Sequence, residues 1–518
     1  MNEDTVSRHR VSIKLSFLLR TLVGILLSAL SAVLLVLSMP PYGIFVFSFI
    51  GFVPLILAQY RILPKKISSL AMAIAVGGLM ALYIMKAFME LAYAPWFMRW
   101  LPLIFGVIIL LTGSGIRAFH ERTKYRWLVL ESSVGWVGVE MIRSLLPIMG
   151  TWGFLAYAYF KVPWLIQPVS TFGVFGLSLI TTILGYALGQ GALAWFDQRW
   201  RLDEDVPLVS KERARKWLLG AGFAYIGWVI LSLVLLLQPM DNEIRVAALQ
   251  PDYQSFFTEN ERETLFLIGS RYQQISQQSY ARLVSQTKEA AELGARIIVW
   301  PEGGIAFDPR YVHTADLKQL AAESDAYLVL AYAVGDRNEL TILSPEGKFL
   351  GVYGKNHPVS FVGERSATHG TYPAYDTDLG EIGAIICYDM DFTDTARKVA
   401  SNGADLIAVP SGDWPGIADK HYAHLVLRAA ENRTAMIKVD RSYDSVIISP
   451  FGQIVSQVIS TSGEQATLVA DVPVVSTDTL HQTLGDWIGW ASLGGMVVFT
   501  LFNMATGKKT GSNTKDFD

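Results

Sequence analysis

The sequence predicts a chain of two parts: a polytopic α-helical membrane domain of about eight spans, and a layered α/β domain set between the seventh span and the eighth. Three observations predict it. Hydrophobic residues make up 51% of the 518 residues and charged ones only 17%, against about 25% charged in soluble domains. The imbalance is local, because residues 1–240 form a series of apolar blocks whereas 241–475 read as a soluble protein. Within 241–475, short β-branched runs alternate with helical stretches. The expected division is 1–240 for spans 1–7, 241–475 for the α/β domain, and 476–518 for the eighth span and a tail.

The spans are expected at 20–38, 43–60, 67–89, 100–118, 127–147, 172–196, 217–238 and 484–504, each near the about 20 apolar residues that cross a bilayer. The first runs straight into Met39-Pro40-Pro41 and a second span, so it reads as an uncleaved anchor. The fifth carries Glu140 and Arg143. These, and Lys86 with Glu90 in or near the third, are either self-paired ions or functional groups. Basic residues orient the set. Arg8, Arg10 and Lys14 precede the first span, and Arg61, Lys65 and Lys66 follow the second. Arg117, Arg122, Lys124 and Arg126 follow the fourth, and Arg199, Arg201, Lys211, Arg213, Arg215 and Lys216 follow the sixth. Lys508, Lys509 and Lys515 end the chain, while the alternate loops offer only Arg99 and Lys161. The positive-inside rule then puts both termini in the cytoplasm and the α/β domain outside. Trp96, Trp100, Trp152, Trp164, Trp487 and Trp490 fall near span ends, as an interfacial aromatic belt would.

In the outward part, Glu243–Leu249, Arg296–Trp300, Tyr327–Val334, Ile382–Cys387, Asp405–Val409 and Ala466–Val472 read as strands. Leu340–Tyr353 reads as a hairpin turning at Pro345-Glu346-Gly347, and Ala435–Val439 and Ser445–Val455 pair around Pro450-Phe451-Gly452. Ser270–Leu293 and Tyr422–Asn432 read as helices.

Three residues of this part stand in equivalent places. Glu302 follows the strand RIIVW, Lys355 follows FLGVYG, and Cys387 ends IGAIIC. Catalytic groups of α/β sheets gather at the carboxyl ends of strands, so an acid, a base and a nucleophile could meet in one pocket. A thiol must lose its proton to attack. A carboxylate can take that proton and later one from an incoming amine. A lysine ammonium, with a backbone N–H such as that of Tyr388, can stabilise the oxyanion of a tetrahedral intermediate. Cys387 is the only cysteine, which excludes an internal disulfide. Taken alone, a cysteine at a strand end is more often a small buried hydrophobe, and Asp389 could be only a helix N-cap.

The segments VWPE (299–302), YGKNHPVSFVGE (353–364) and ICYDMDF (386–392) resemble the Glu–Lys–Cys signatures of the carbon–nitrogen hydrolase (nitrilase) superfamily. Such a domain between spans 7 and 8 resembles the apolipoprotein N-acyltransferases in particular. PPYGIFVFSFIGFVPLI (40–56), WLIQPVSTFGVFGLSLI (164–180) and DWPG…HLVLRAAENR (413–433) resemble further motifs of that family. The resemblance implies a nitrilase-like α-β-β-α sandwich, a bacterial inner (cell) membrane location, and no cofactor. It implies acyl transfer from a phospholipid, typically phosphatidylethanolamine, to the α-amine of a lipoprotein's diacylglyceryl cysteine, ping-pong through a thioester. Carried over by motif, Glu302 is the general base, Lys355 stabilises the oxyanion and Cys387 is the nucleophile. Glu364 supports the site, Tyr388 and Asp389 fill the places beside the nucleophile, and Trp414 fills an aromatic place near the pocket. Where the family runs His-Leu-Val-Pro-Phe-Gly-Glu, this chain has HPVSFVGE, one residue longer with Val362 before Gly363. Asp389 replaces a usual glutamate, and KVDRSYDS (438–445) replaces a more neutral run.

Those departures leave two other readings. One is a membrane-tethered amidase or an N-acyltransferase with a different amine; the other is an inactive paralogue that binds lipids or lipoproteins. His421 and His424, at i, i+3, lack an evident third ligand, so no metal is expected. The net charge of −3 says nothing about partners, and the sequence shows no nucleic-acid footprint.

Overall fold

The computed structural model describes residues 11–12, 16–90, 96, 100–240, 242–258, 261, 269–475 and 477–512. Arg8, Arg10, Lys14, Arg99, Lys515 and the side chain of Lys86 lie outside the described residues.

The membrane part consists of α1 (Phe17–Ser38), α2 (Leu70–Met89), α3 (Leu101–Arg122), α4 (Leu128–Ser144), α5 (Val169–Arg199) and α6 (Lys211–Leu235), completed by the C-terminal helix Trp487–Ser512. Among the described residues, five helices are long and apolar enough to cross a bilayer: Phe17–Ser38, Lys65–Met85, Val169–Arg199, Lys211–Leu235 and Trp487–Thr506. Leu103–Leu111 and Gly115–Arg122, bent by 41°, make a sixth if taken together. The remaining two expected segments are shorter. The one at 43–60 is an apolar helix over Phe47–Ile62, broken at Gly51 into Phe47–Ile50 and Phe52–Leu57. The break lets α1 come close: Ser31 Oγ donates to the Gly51 carbonyl at 2.7 Å, and a Cβ on Gly51 would stand 3.1 Å from Leu35. The one at 127–147 is α4, 17 residues long. Its Glu140 and Arg143 hydrogen-bond to the chain that follows, Glu140 Oε1 accepting from Leu155 N at 2.9 Å and Arg143 donating to the Trp152 carbonyl. Buried charge here anchors a loop.

The α/β part contains two six-stranded sheets. The first is built from β1 (Glu243–Pro251), β2 (Ile297–Val299), β3 (Tyr327–Val334), β4 (Arg337–Leu343) and β5 (Phe349–Gly354), with Gln465–Pro473 antiparallel on the outer side of β1. The second runs, in spatial order, Ala374–Thr377, Gly380–Ala384, Leu406–Pro410, Ala435–Val439, Asp444–Ile448 and Ile454–Ile459. Alternation along β1 explains the layering. Val246 and Ala248 pack between the sheets with Ile382, Ala408 and Ile437, whereas Ala247 and Leu249 pack outward against Leu283 and Ala290 of Gly269–Glu292. Helices Thr393–Ser401 and Tyr422–Asn432 cover the second sheet, which completes the α-β-β-α order.

Boundaries differ from expectation in one instructive place. Ile382–Cys387 was expected as one strand, but the ladder stops at Ala384 and Cys387 begins a 3-10 turn. The Ile386 N–H leaves the sheet to donate to Asp389 Oδ2 at 3.0 Å. Helix Thr314–Ser324 and strand Ala374–Thr377 were not expected; the latter is a polar four-residue edge with no alternation to reveal it.

The two parts interlock through buried polar groups. In Tyr422–Asn432, Arg428 pairs with Glu431, and its Nη2 donates to Tyr157 Oη at 2.8 Å. Glu431 Oε1 accepts from Val174 N at 2.6 Å, where α5 restarts after the positive φ of Gly173. The carboxylate thereby caps a helix N-terminus, where the backbone dipole favours an anion.

Candidate active site

Glu302, Lys355 and Glu364 meet at the ends of the first sheet. Lys355 Nζ stands 2.8 Å from Glu302 Oε1 and 3.0 Å from both oxygens of Glu364. Asn338, on β4, donates from one amide nitrogen to Glu302 Oε1 and Glu364 Oε1, each at 2.6 Å. Glu364 Oε2 also accepts from Val359 N at 2.7 Å, so the HPVSFVGE loop folds back onto its own glutamate. The extra residue is absorbed in the short turn Ser360–Val362 and a positive φ at Gly363. Burial alone would raise the Glu302 carboxyl, but Lys355, Arg441 and the hydrogen bonds hold it below its ordinary value. Burial likewise opposes the Lys355 ammonium, but Glu302, Cys387 and Glu364 push it well up. At neutral pH the pair is ionised.

Cys387 sits opposite this pair on the second sheet's turn, with a φ of 46°. That left-handed backbone is rare for a residue with a Cβ and is often found at functional sites. Asp389 holds the turn. It is wholly buried and accepts from Ile386 N, from Tyr353 Oη at 2.6 Å and from His357 N at 2.7 Å. Its carboxylate is taken up by these bonds to the neighbouring chain. Burial first, and then the charge of Glu302, push the Cys387 thiol well up, against the opposing pull of Lys355.

A narrow apolar cleft opens onto the sulfur. Ile84 and Ala87 of α2 and Met149 line it from the membrane part; Val359, Tyr388 and Trp414 line it from the α/β part. Tyr388 Oη donates to the Pro147 carbonyl at 3.2 Å, and Trp414 Nε1 to the Ala87 carbonyl at 2.8 Å, so both tie the cleft wall to the membrane part.

Several further site residues escaped the sequence reading. Trp152, expected in an aromatic belt, is buried here. It stacks on His421 at 5.4 Å between ring centroids and donates from Nε1 to Asp391 Oδ2 at 2.8 Å. Asp413 Oδ1 lies 3.8 Å from Cys387 Sγ. Its carboxylate accepts from His421 Nδ1 at 2.8 Å and pairs with Lys438 at 3.0 Å. Burial would lower the His421 imidazolium, but Asp413 and Asp391 raise it to about 10. Asp413, Asp440 and Asp444 offer oxygens within 4.8 Å of one another. Lys438 already supplies the counter-charge, 2.6 Å from Asp444. The charged run KVDRSYDS was the only sequence signal for this cluster; Asn338 had none, because an asparagine in a hairpin reads as a surface turn.

The chain matches the family model for carbon–nitrogen hydrolase over residues 245–482 and that for the apolipoprotein N-acyltransferase N-terminal domain over residues 31–187. An apolipoprotein N-acyltransferase of Geobacter metallireducens is 25% identical over 515 residues, covering 91% of this chain and 94% of that protein. An omega-amidase of Mus musculus is 23% identical over 256 residues, covering 42% of this chain and 92% of that protein. A nitrilase-superfamily structure from Saccharomyces cerevisiae covers 45% of this chain and 91% of its own, with 18% identity and a TM-score of 0.36. The N-terminal-domain model and the hydrolase model fall on the two parts of this one chain. This chain belongs to the apolipoprotein N-acyltransferase family of the nitrilase superfamily.

Proposed function

We propose that the protein transfers an acyl chain from a phospholipid, phosphatidylethanolamine by preference, to the α-amine of a lipoprotein's diacylglyceryl cysteine, through a thioester on Cys387. The observation that carries this reading is a buried thiol that lines an apolar cleft walled partly by membrane helices, with the Glu302–Lys355 ion pair acting on it electrostatically. Glu302 takes the thiol proton as sulfur attacks the acyl ester carbonyl. Lys355 steadies the oxyanion, with Glu364 and Asn338 fixing the ammonium in place. The lysophospholipid leaves with the proton. In the second half, Glu302 takes a proton from the amine, which attacks the thioester, and the sulfur is reprotonated. A cleft whose lining is almost wholly apolar suits acyl chains and excludes water, which favours transfer over hydrolysis.

The same reading assigns residues 1–240 and 476–518 to the bacterial cell membrane and 241–475 to its outer face, with both termini cytoplasmic. The basic segments support it, since they converge at one end of the helices. Arg20 pairs with Asp203 at 2.7 Å, Arg61 with Asp197 at 2.6 Å, and Lys65 with Glu121 at 3.4 Å. Arg122 donates to Asn503 of the last helix at 2.5 Å.

The test is an in-vitro transfer assay with purified full-length protein, phosphatidylethanolamine and a diacylglyceryl-cysteine lipopeptide, with Cys387→Ala beside it. One amide-linked acyl chain gained with wild type only is the expected result. Equal products from both would end the thioester reading, and release of free fatty acid alone would show that water, not the amine, takes the acyl group.

A further inference from the structure

Among the described residues, Arg441 is a guanidinium with no hydrogen-bond or ion-pair partner, close enough to Glu302 and Cys387 to act on them electrostatically. Buried arginines elsewhere in the α/β part are committed: Arg428 pairs with Glu431, and Arg433 donates to Gln167 and Gln238, each at 2.8 Å. Arg441 differs. Among the described residues, no carboxylate lies within 4.0 Å of its guanidinium and no acceptor takes its N–H groups. The nearest acids are engaged elsewhere. Asp440 accepts from Ser442 N and Tyr443 N at 2.8 Å and from Asp413 N at 2.6 Å, and Glu302 is held by Lys355 and Asn338.

Its place is built. The Arg441 carbonyl accepts from Tyr253 N at 2.9 Å, and the guanidinium stands 5.7 Å from the Tyr253 ring centroid. The other side rests on Gly412, where a Cβ would come within 2.2 Å of Nη2 and 2.5 Å of Nε. Only glycine leaves that room. Gly412 adjoins Asp413, whose carboxylate oxygen lies 3.8 Å from Cys387 Sγ. Arg441 is half-buried, so its free N–H groups are open to a ligand.

We infer that Arg441 binds the phosphodiester of the acyl donor. An unpaired guanidinium at a partly dry site is suited to a bidentate phosphate oxygen pair. In a glycerophospholipid only the three-carbon glycerol backbone separates that phosphate from the ester carbonyl, which must lie against Cys387. The diacylglyceryl thioether of the acceptor has no phosphate. Arg441 therefore selects the donor in the first half-reaction and is silent in the second. This inference rests on the donor reading proposed above.

The experiment follows acyl-Cys387 formation in the full-length protein with two donors, phosphatidylethanolamine and p-nitrophenyl palmitate, which lacks phosphate. Arg441→Gln lowers the ratio of phospholipid to nitrophenyl-ester acylation by roughly ten- to a hundredfold, the worth of a lost charge-assisted bond. Arg441→Lys recovers part of it, and Gly412→Ala, which displaces the guanidinium, shifts the ratio the same way. An unchanged ratio with both rates intact, or with both depressed alike, overturns the proposal while wild-type acylation by phospholipid keeps the donor reading. Wild type acylated by the nitrophenyl ester and never by phospholipid overturns both.

Discussion

Cys387 is not a ready-made thiolate. Burial and the neighbouring Glu302 charge favour the neutral thiol, and Lys355, held by two glutamates, does not reverse them. In the proposed mechanism the sulfur becomes nucleophilic only as its proton moves to Glu302, which suits a cleft that must not attack at random. Alkylation of Cys387 by iodoacetamide is expected to keep rising with pH through the ordinary thiol value of 9.0, without levelling near neutrality. A plateau near pH 7 would contradict the arrangement. The linkage sign agrees: the folded chain holds this proton longer than the unfolded one, so this group's contribution to stability falls as pH climbs past the ordinary thiol range. In the same mechanism Glu364 acts through Lys355, which it contacts at 3.0 Å. Glu364→Gln keeps the shape but removes the charge, and kcat/KM should fall on the order of ten- to a hundredfold, as for outer partners of other catalytic centres. Thermal unfolding should barely move, because this carboxylate is partly exposed. Loss of fold with activity would make Glu364 a structural group only.

Helix Tyr422–Asn432 is the element on which the two parts turn. It looks like an ordinary amphipathic helix, yet every residue in it is buried. One face covers the second sheet, and the other brings Arg428 and Glu431 against Tyr157 and the restart of α5 at Val174. Removing one partner of a buried pair leaves an uncompensated charge, which costs about 3–5 kcal/mol. Glu431→Ala is accordingly predicted to lower Tm by several degrees in detergent, and Arg428→Met with Glu431→Leu to recover most of the loss. If the single variant unfolds like wild type, the interlock contributes little. The loop at Thr151–Trp152 works on a smaller scale, donating to the Asp391 carbonyl at 2.9 Å and to its side chain.

At the scale of the whole molecule, the cleft exists only where the parts meet. Ile84, Ala87 and Met149 face Cys387 and Trp414 across it, so neither part alone encloses an acyl chain. The basic segments gathered by Asp197, Asp203 and Glu121 stand at the opposite end of the helices. A reporter fused after residue 510 should therefore be active only in the cytoplasm, and one inserted in the turn at Glu346 only outside. Activity of the first reporter outside would break the proposed orientation.

Much of this was legible in the residues. Local period and composition carry the spans and strands, because apolar run length and β-branched alternation act within a few residues. Tyr327–Val334, Tyr422–Asn432 and Ala435–Val439 fall as read. Glu302, Lys355 and Cys387 were marked by their strand-end contexts. The two broken or short segments, Phe47–Ile62 and Leu128–Ser144, were less legible, since contact with α1 and a loop decides their length. Asn338, Asp413, His421, Trp152 and Arg441 belong to the site through neighbours far along the chain. Their types alone read as turn, surface or belt residues, and only the packing of two sheets on a membrane bundle gives them their partners.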